Sequence, residues 1–347
     1  MALSTRGKSI AGGLAAVVLL GGGFLGYRLL TKAPNEPILG DVLGGDGLPD
    51  ECPLLGVDPE GDVPNRPALA VKVENNPDSR PQAGLAEADI VYEEEAEGGI
   101  TRFMAIYQCT SSSRIGPIRS ARLVDPNILD QYGEPLFAYA GAAPTVRNAI
   151  DEHASIVQVN YIDAADAYTE DPNREIPHHL FSSTRALYRA ARAAGRAHLP
   201  EAVFTYDEDV PTGRRAQEIR ANFNPNVADV IWRYDRASGR YLRYHGTVAH
   251  TLEDGGQISS TNVVVQIVER IQTDITDPAG NPVFDFEVTG SGRAFVFRDG
   301  RMIRGRWERP NDDGVTRFVA RNGDEIPLAP GNTWVELYPA DAPPLEF

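Results

Sequence analysis

The residues best suited to chemistry crowd into the stretch from Ile90 to Arg122. Glu93, Glu94, Glu95 and Glu97 precede a Gly98-Gly99 pair. Arg102 follows that pair, and Arg119 and Arg122 close the run Ile115-Gly-Pro-Ile-Arg-Ser-Ala-Arg. A guanidinium makes paired, charge-assisted hydrogen bonds to phosphate or carboxylate oxygens, so Arg102, Arg119 and Arg122 together could receive a phosphate, pyrophosphate or carboxylate. The carboxylates open two competing uses. They can neutralise the arginines in an internal ion-pair network that holds the hairpin to the next helix. Alternatively, Glu93 and Glu97, with Asp125, can hold a divalent cation that bridges a bound pyrophosphate. Ser120 sits between two of the arginines and joins the ligand-binding set. No Gly-x-Ser-x-Gly elbow surrounds it and no His is placed as its base, so its hydroxyl is expected to cap the following helix. His178, in the pair His178-His179, is an acid-base candidate, but adjacent histidines lack the i, i+4 spacing of a helical metal pair. Ligand binding is thus expected at Arg102, Arg119, Ser120 and Arg122, with Glu93, Glu97 and His178 as catalytic candidates. No resident metal site and no cofactor is expected; a divalent cation belongs to the catalytic alternative alone.

Strands and turns must position these groups. A β-type run over 68–73 ends at the turn signal Asn75-Asn-Pro-Asp. Strands are expected over 90–97 and 100–107, with Gly98-Gly99 as a tight turn. A two-residue turn sets Glu97 opposite Ile100, Glu95 opposite Arg102 and Glu93 opposite Met104. Period-2 alternation then places Glu93, Glu95 and Glu97 on one face. Helices are expected over 123–132, 145–153 and 185–198, the last capped from Ser182-Ser183-Thr184. After Pro200 the texture changes to hairpins, with Asp299-Gly300 and Asn322-Gly323 turns between alternating runs. Trp307 and Trp334 fall in strand context and read as core. The fold class is α+β, with mixed or antiparallel sheets and a few helices in the N-terminal part, and mostly antiparallel β in the C-terminal part.

Charge and hydropathy restrict the partners. Lys plus Arg number 33 against 49 Asp plus Glu, for a net charge of −16. The first 32 residues carry four cations and no anion, so the body is more acidic still. Such a body repels a phosphate backbone, which argues against a nucleic-acid partner. Arg6 and Lys8 precede an apolar, Gly-rich run over 10–27, close to the ~20 residues that cross a bilayer as a helix. Residues 1–31 are therefore expected to be an uncleaved signal anchor, with a single pass and the body on the extracytoplasmic side; a cleaved secretory signal is the competing reading, and it exports the body too. Residues 32–65, rich in Pro and Gly, read as a linker in which Cys52-Pro-Leu-Leu-Gly can dock onto the body. Two parts follow, 66–200 and 201–347. Outside the cytoplasm Cys52 and Cys109 are candidates for a disulfide.

The order of motifs carries a resemblance. Cys52-Pro-Leu-Leu-Gly, Asn65-Arg-Pro, the run 75–84 (NNPDSRPQAG), Ala88-Asp-Ile-Val-Tyr-Glu, Glu97-Gly-Gly-Ile-Thr-Arg-Phe and Ile115-Gly-Pro-Ile-Arg-Ser-Ala-Arg come first. Gly239-Arg-Tyr-Leu-Arg-Tyr, Gln257-Ile-Ser-Ser-Thr-Asn and Pro330-Gly-Asn-Thr-Trp-Val-Glu-Leu follow. From Cys52 to Pro339 the chain resembles the YerB-like family of bacterial envelope proteins, whose biochemical function is unknown. The resemblance implies a mixed α and β fold in two parts, displayed outside the cytoplasmic membrane, and it implies no reaction. Many members look like lipoproteins. Here no Cys directly follows the apolar run, so a transmembrane helix takes the place of an acyl chain. The function expected is a membrane-anchored binding or scaffold module for an anionic envelope ligand, or a partner of envelope proteins. The alternative is a hydrolase or transferase acting on a phosphate-containing glycopolymer or lipid-linked precursor.

Overall fold

Apolar runs from both parts of the chain enter a single twelve-stranded sheet. The computed structural model describes residues 48–195, 198–277 and 280–347. The N-terminal part supplies β1 (Leu69–Glu74), β2 (Ile90–Glu95), β3 (Thr101–Tyr107), β4 (Leu136–Ala138), β5 (Val157–Gln158) and the short pair β6 (Thr169–Glu170) and β7 (Leu180–Phe181). It also holds helices α1 (Val124–Leu129), α2 (Pro144–Glu152) and α3 (Thr184–Ala191). The C-terminal part begins with β8 (Arg214–Arg215), β9 (Glu218–Asn224), β10 (Ala228–Asp235), β11 (Arg240–His245), β12 (Val248–Ala249) and β13 (Ser259–Ser260). It continues with β14 (Asn262–Thr276), β15 (Pro282–Glu287), β16 (Gly290–Arg298), β17 (Arg301–Arg309), β18 (Arg317–Ala320) and β19 (Thr333–Pro339).

The large sheet runs β18-β17-β16-β14-β19-β2-β3-β1-β4-β5, while β9 to β13 form a second sheet. Strand β19 lies parallel between β14 and β2, with Trp334 beside Val91 and Glu336 beside Glu93. The parts expected over 66–200 and 201–347 therefore share one sheet. Antiparallel pairing predominates, and the α+β class holds. Strands β1, β3 and β19 are buried along their whole length, as strands covered on both faces must be. Alternation sends Val71, Val73, Val91 and Phe103 into one core, together with Trp232 and Tyr241 of the second sheet and Leu187 of α3. Ala70, Ile90, Tyr92 and Met104 face the other core, against Val124 and Ile128 of α1 and Val146 and Ile150 of α2. Trp307 and Trp334 are both buried.

Three local expectations change. The β2–β3 hairpin pairs Glu95 with Thr101, Glu94 with Arg102 and Glu93 with Phe103. Its turn holds three residues, Glu97–Gly99, closed by the Ala96 amide donating to the Ile100 carbonyl at 2.7 Å, with Gly98 and Gly99 both at φ 75°. Only glycine takes that left-handed conformation cheaply twice in succession. The one-residue shift places Arg102 on the face of Glu94 rather than that of Glu95, which pairs with Arg270 instead. Helix α1 ends at Leu129, and residues 130–132 tighten into a 3-10 turn. Helix α3 starts at the expected cap, where the Ser183 hydroxyl accepts from the Ala186 amide at 3.2 Å. It stops at Ala191, before a 3-10 turn and Gly195 at φ 67°.

The Cys52 segment is docked. Cys52, Leu54 and Leu55 are buried, and Cys52 is joined to Cys109 in a disulfide with Cα atoms 5.9 Å apart. No helix among the described residues is long and apolar enough to cross a membrane. The anchor expected over 1–31, and the linker up to residue 47, lie outside the described residues.

Candidate functional site

The strap from Ile115 to Arg119 places the central arginine. Ile115 and Ile118 are wholly buried and anchor it: Ile115 pairs with Ser182, Gly116 with Ala83 and Ile118 with Val73. At Gly116 a Cβ would stand 2.7 Å from the Phe181 ring and 2.8 Å from the Leu180 carbonyl, so the strap passes there only as glycine. Strands β1 and β4 run parallel as far as Val71 and Ala138, then part. Residues 119–121 enter the gap. The Arg119 amide donates to the Lys72 carbonyl at 2.9 Å, the Ala140 amide to the Arg119 carbonyl at 3.0 Å, and the Ala121 amide to the Gly141 carbonyl at 3.1 Å. This junction lies at the carboxyl ends of the parallel strands β1 and β4.

All three sequence-predicted arginines meet there. Arg119 Nε donates to Glu74 Oε1 at 3.1 Å, and Arg102 Nη2 lies 4.0 Å from the same oxygen. Arg102 Nη1 is 3.8 Å from Glu97 Oε2, which also accepts from Arg122 Nη2. Arg122 Nη1 donates to the Ser120 and Ala121 carbonyls at 3.2 and 2.8 Å. Arg102 is only 5% exposed, yet its Nε and Nη1 have no hydrogen-bond partner, and neither does Arg122 Nε. A buried donor left unsatisfied costs about 1–3 kcal/mol. The Arg119 side chain, by contrast, is 26% exposed.

Glu74 is the member that sequence reasoning missed. Its Oε1 takes the arginines, while its Oε2 lies 2.7 Å from His178 Nδ1, so His178 joins the cluster through it. Beneath them Lys72 Nζ, fully buried, pairs with Glu94 and with Asp125 Oδ1, the latter at 2.6 Å. Burial and the Asp125 charge push the Glu94 carboxyl up to about 8 against the pull of Lys72. Around the three guanidiniums of Arg102, Arg119 and Arg122, the carboxylates within ion-pair distance are two, Glu74 and Glu97.

That buried acid has a pH signature. Between the usual carboxylate range near ~4.3 and the raised value of about 8, the folded chain keeps a proton on Glu94 that the unfolded chain releases. The stability carried by this protonation is present at the acid end of the window and falls as pH rises through it. Relative to Glu94→Gln, the wild-type chain is expected to lose on the order of a few kcal/mol between about pH 5 and pH 8. Chemical unfolding of both proteins across that range checks it, and parallel profiles would contradict it.

Other expectations are corrected. Ser120 caps no helix: its hydroxyl donates to the Ala140 carbonyl at 3.2 Å, because the strap is held beside β4. The start of α1 is held instead by Asp125 Oδ2, which accepts from the Arg122 amide at 2.6 Å. Glu93 is absent from the cluster, since neighbouring strand residues point to opposite faces and Glu94 takes this one. Glu93, Glu97 and Asp125 therefore do not converge, and no group of three or more metal-ligating side chains exists among the described residues.

On its own face Glu93 anchors a second buried polar network. Arg243 Nη2 donates to both Glu93 oxygens at 2.8 Å, Thr101 Oγ1 donates at 2.6 Å and Trp334 Nε1 at 3.2 Å. Burial, then the Glu93 charge, hold the neighbouring Glu336 carboxyl well above its usual range. Burial and Arg243 hold His250 well below its own, so the imidazole is neutral. Its Nδ1 accepts from Arg243 Nη1 at 2.6 Å and its Nε2–H donates to Gln82 Oε1 at 2.9 Å. The only sequence signals for these groups are single charges inside apolar runs, Lys72 and Glu74 in Ala-Val-Lys-Val-Glu and Glu336 in Trp-Val-Glu-Leu.

Comparison with known proteins agrees along most of the chain. Residues 54–197 match the N-terminal domain of the family described as protein of unknown function (DUF3048), and residues 219–335 match its C-terminal domain. YerB of Bacillus subtilis (strain 168), described as a candidate lipoprotein, is 29% identical over 308 residues, covering 85% of this chain and 89% of its own. A crystal structure of YerB from Bacillus subtilis superposes with a TM-score of 0.74 at 26% identity, over 86% of this chain and 99% of that one.

Proposed function

Because this chain belongs to the YerB-like family, we propose that it is an envelope-associated protein whose body binds an anionic ligand through Arg102, Arg119 and Arg122. Envelope association is supported by the description of its Bacillus subtilis relative as a candidate lipoprotein. Anchoring by the apolar run over 10–27, with the body on the extracytoplasmic side, completes the same reading.

One observation carries ligand binding. Arg102 is buried, two of its nitrogens lack hydrogen bonds, and its nearest carboxylates stand at 3.8 and 4.0 Å. An anion entering past the partly exposed Arg119 would satisfy those donors and supply the negative charge that Glu74 and Glu97 leave unmatched. Phosphate and pyrophosphate suit forked donors of this kind. Isothermal titration with inorganic pyrophosphate, and with a phosphate-containing envelope glycopolymer, tests it. Arg119→Ala/Arg122→Ala is expected to weaken binding at least ~10-fold, the scale of losing charge-assisted hydrogen bonds. Unchanged affinity in a variant with an unchanged melting temperature would sink the proposal.

A catalytic use is favoured by one feature, the His178–Glu74 pair at 2.7 Å beside Arg119. An orienting carboxylate on an imidazole is the arrangement of a general base. On that reading His178→Gln abolishes turnover of a phosphate ester while pyrophosphate affinity persists.

A further inference from the structure

A second group of arginines, none of them from the first site, lines a cavity of about 900 Å³ beside residues 340–347. Arg293 of β16 and Arg306 of β17 are direct cross-strand partners, and Phe295 and Arg304 are the next such pair on the same face. Arg321 enters from beyond β18. All four arginines are exposed. Like charges set opposite one another destabilise a sheet, yet only Arg306 has an acidic partner, Glu308 at 2.5 Å. Arg304 stands 5.5 Å over the Phe295 ring. Arg293 and Arg321 have no hydrogen-bond or ion-pair partner among the described residues. In a chain of net charge −16 such a concentration of unneutralised cations is a local exception.

Apart from Asn322, the side chains that complete the lining are mostly apolar. Ile267, Phe295, Tyr338, Leu345 and Phe347 line it, and the Phe347 ring packs 5.2 Å from Phe295 and 5.9 Å from Phe297. A cavity of this size falls within the ~300–1,000 Å³ of small-molecule sites, where apolar walls carry affinity and a few polar groups fix orientation. We infer that the cavity takes one phosphate-bearing amphiphile, its headgroup held by Arg293, Arg304, Arg306 and Arg321 and its apolar body laid on the aromatic wall. Several guanidinium forks suit the multiple oxygens of a phosphate better than the two of a carboxylate.

The test is calorimetric titration of the full chain carrying Arg119→Ala/Arg122→Ala, which disables the first cluster, with three monomeric probes: octyl phosphate, inorganic phosphate and octyl glucoside. Octyl phosphate is expected to bind at least ~10-fold more tightly than either of the others, since each lacks one half of the recognition. Adding Arg293→Ser/Arg304→Ser to that background is expected to remove the advantage without lowering the melting temperature, since it relieves the opposed Arg293–Arg306 charges. Inorganic phosphate binding as tightly would overturn the apolar half of the inference, and octyl glucoside binding as tightly the arginine half. Full octyl phosphate affinity in Arg293→Ser/Arg304→Ser would overturn the site itself.

Discussion

Arg243→Met is expected to lower the unfolding free energy by about 3–5 kcal/mol at neutral pH, the usual cost of stranding one member of a buried ion pair. Arg243 and Glu93 are both fully buried, and the guanidinium also lies 5.4 Å over the rings of Phe103 and Trp334. Methionine fills much of the volume but leaves Glu93 without its cation, beside a second buried carboxyl at Glu336. His250 Nδ1 loses its donor in the same step. The companion Arg243→Met/Glu93→Gln removes the stranded charge and is expected to recover much of the loss. Denaturant unfolding of the single and double variants measures both effects. A deficit under ~1 kcal/mol in the single variant would show that water reaches the network and shields it.

The second large effect lies at the other end of the body. Cys52→Ser/Cys109→Ser opens a loop spanning a sequence separation of 57, and loop-closure entropy puts the loss at about 4 kcal/mol. The bridge ties the segment carrying the buried Leu54 and Leu55 to the end of β3, and the Leu55 carbonyl accepts from the Gly331 amide at 2.8 Å. Without it that segment should fray first. The expected sign is a lower unfolding midpoint for the double variant, matched by the wild-type chain under reducing conditions. Equal midpoints with and without reductant would contradict it.

Much of this molecule was legible before folding. Alternation and turn chemistry located β1 to β3 and the later hairpins, because a strand with a buried face must repeat every second residue. Arg102, Arg119 and Arg122 stood out as unusual charges and do meet. Motif order along the chain pointed to the family that the comparisons bear out. Partners were another matter. A two-residue turn sets Arg102 opposite Glu95, and the third residue that the turn holds moves it to the face of Glu94.

Local pattern alone determined which residues carry charge, which segments are strands, and which family the chain resembles. Only the tertiary structure decided which charge meets which. Glu74 serves Arg119, Arg102 and His178, although it lies 45 residues from the first and 104 from the last. Glu93 is claimed by Arg243 across 150 residues. The first set follows from the strap at 115–119 and the segment before α3 packing against β1, and the second from the packing of the second sheet over the core face of β2 and β19. A side chain's sheet face is a local property, but the group that comes to lie against that face is not.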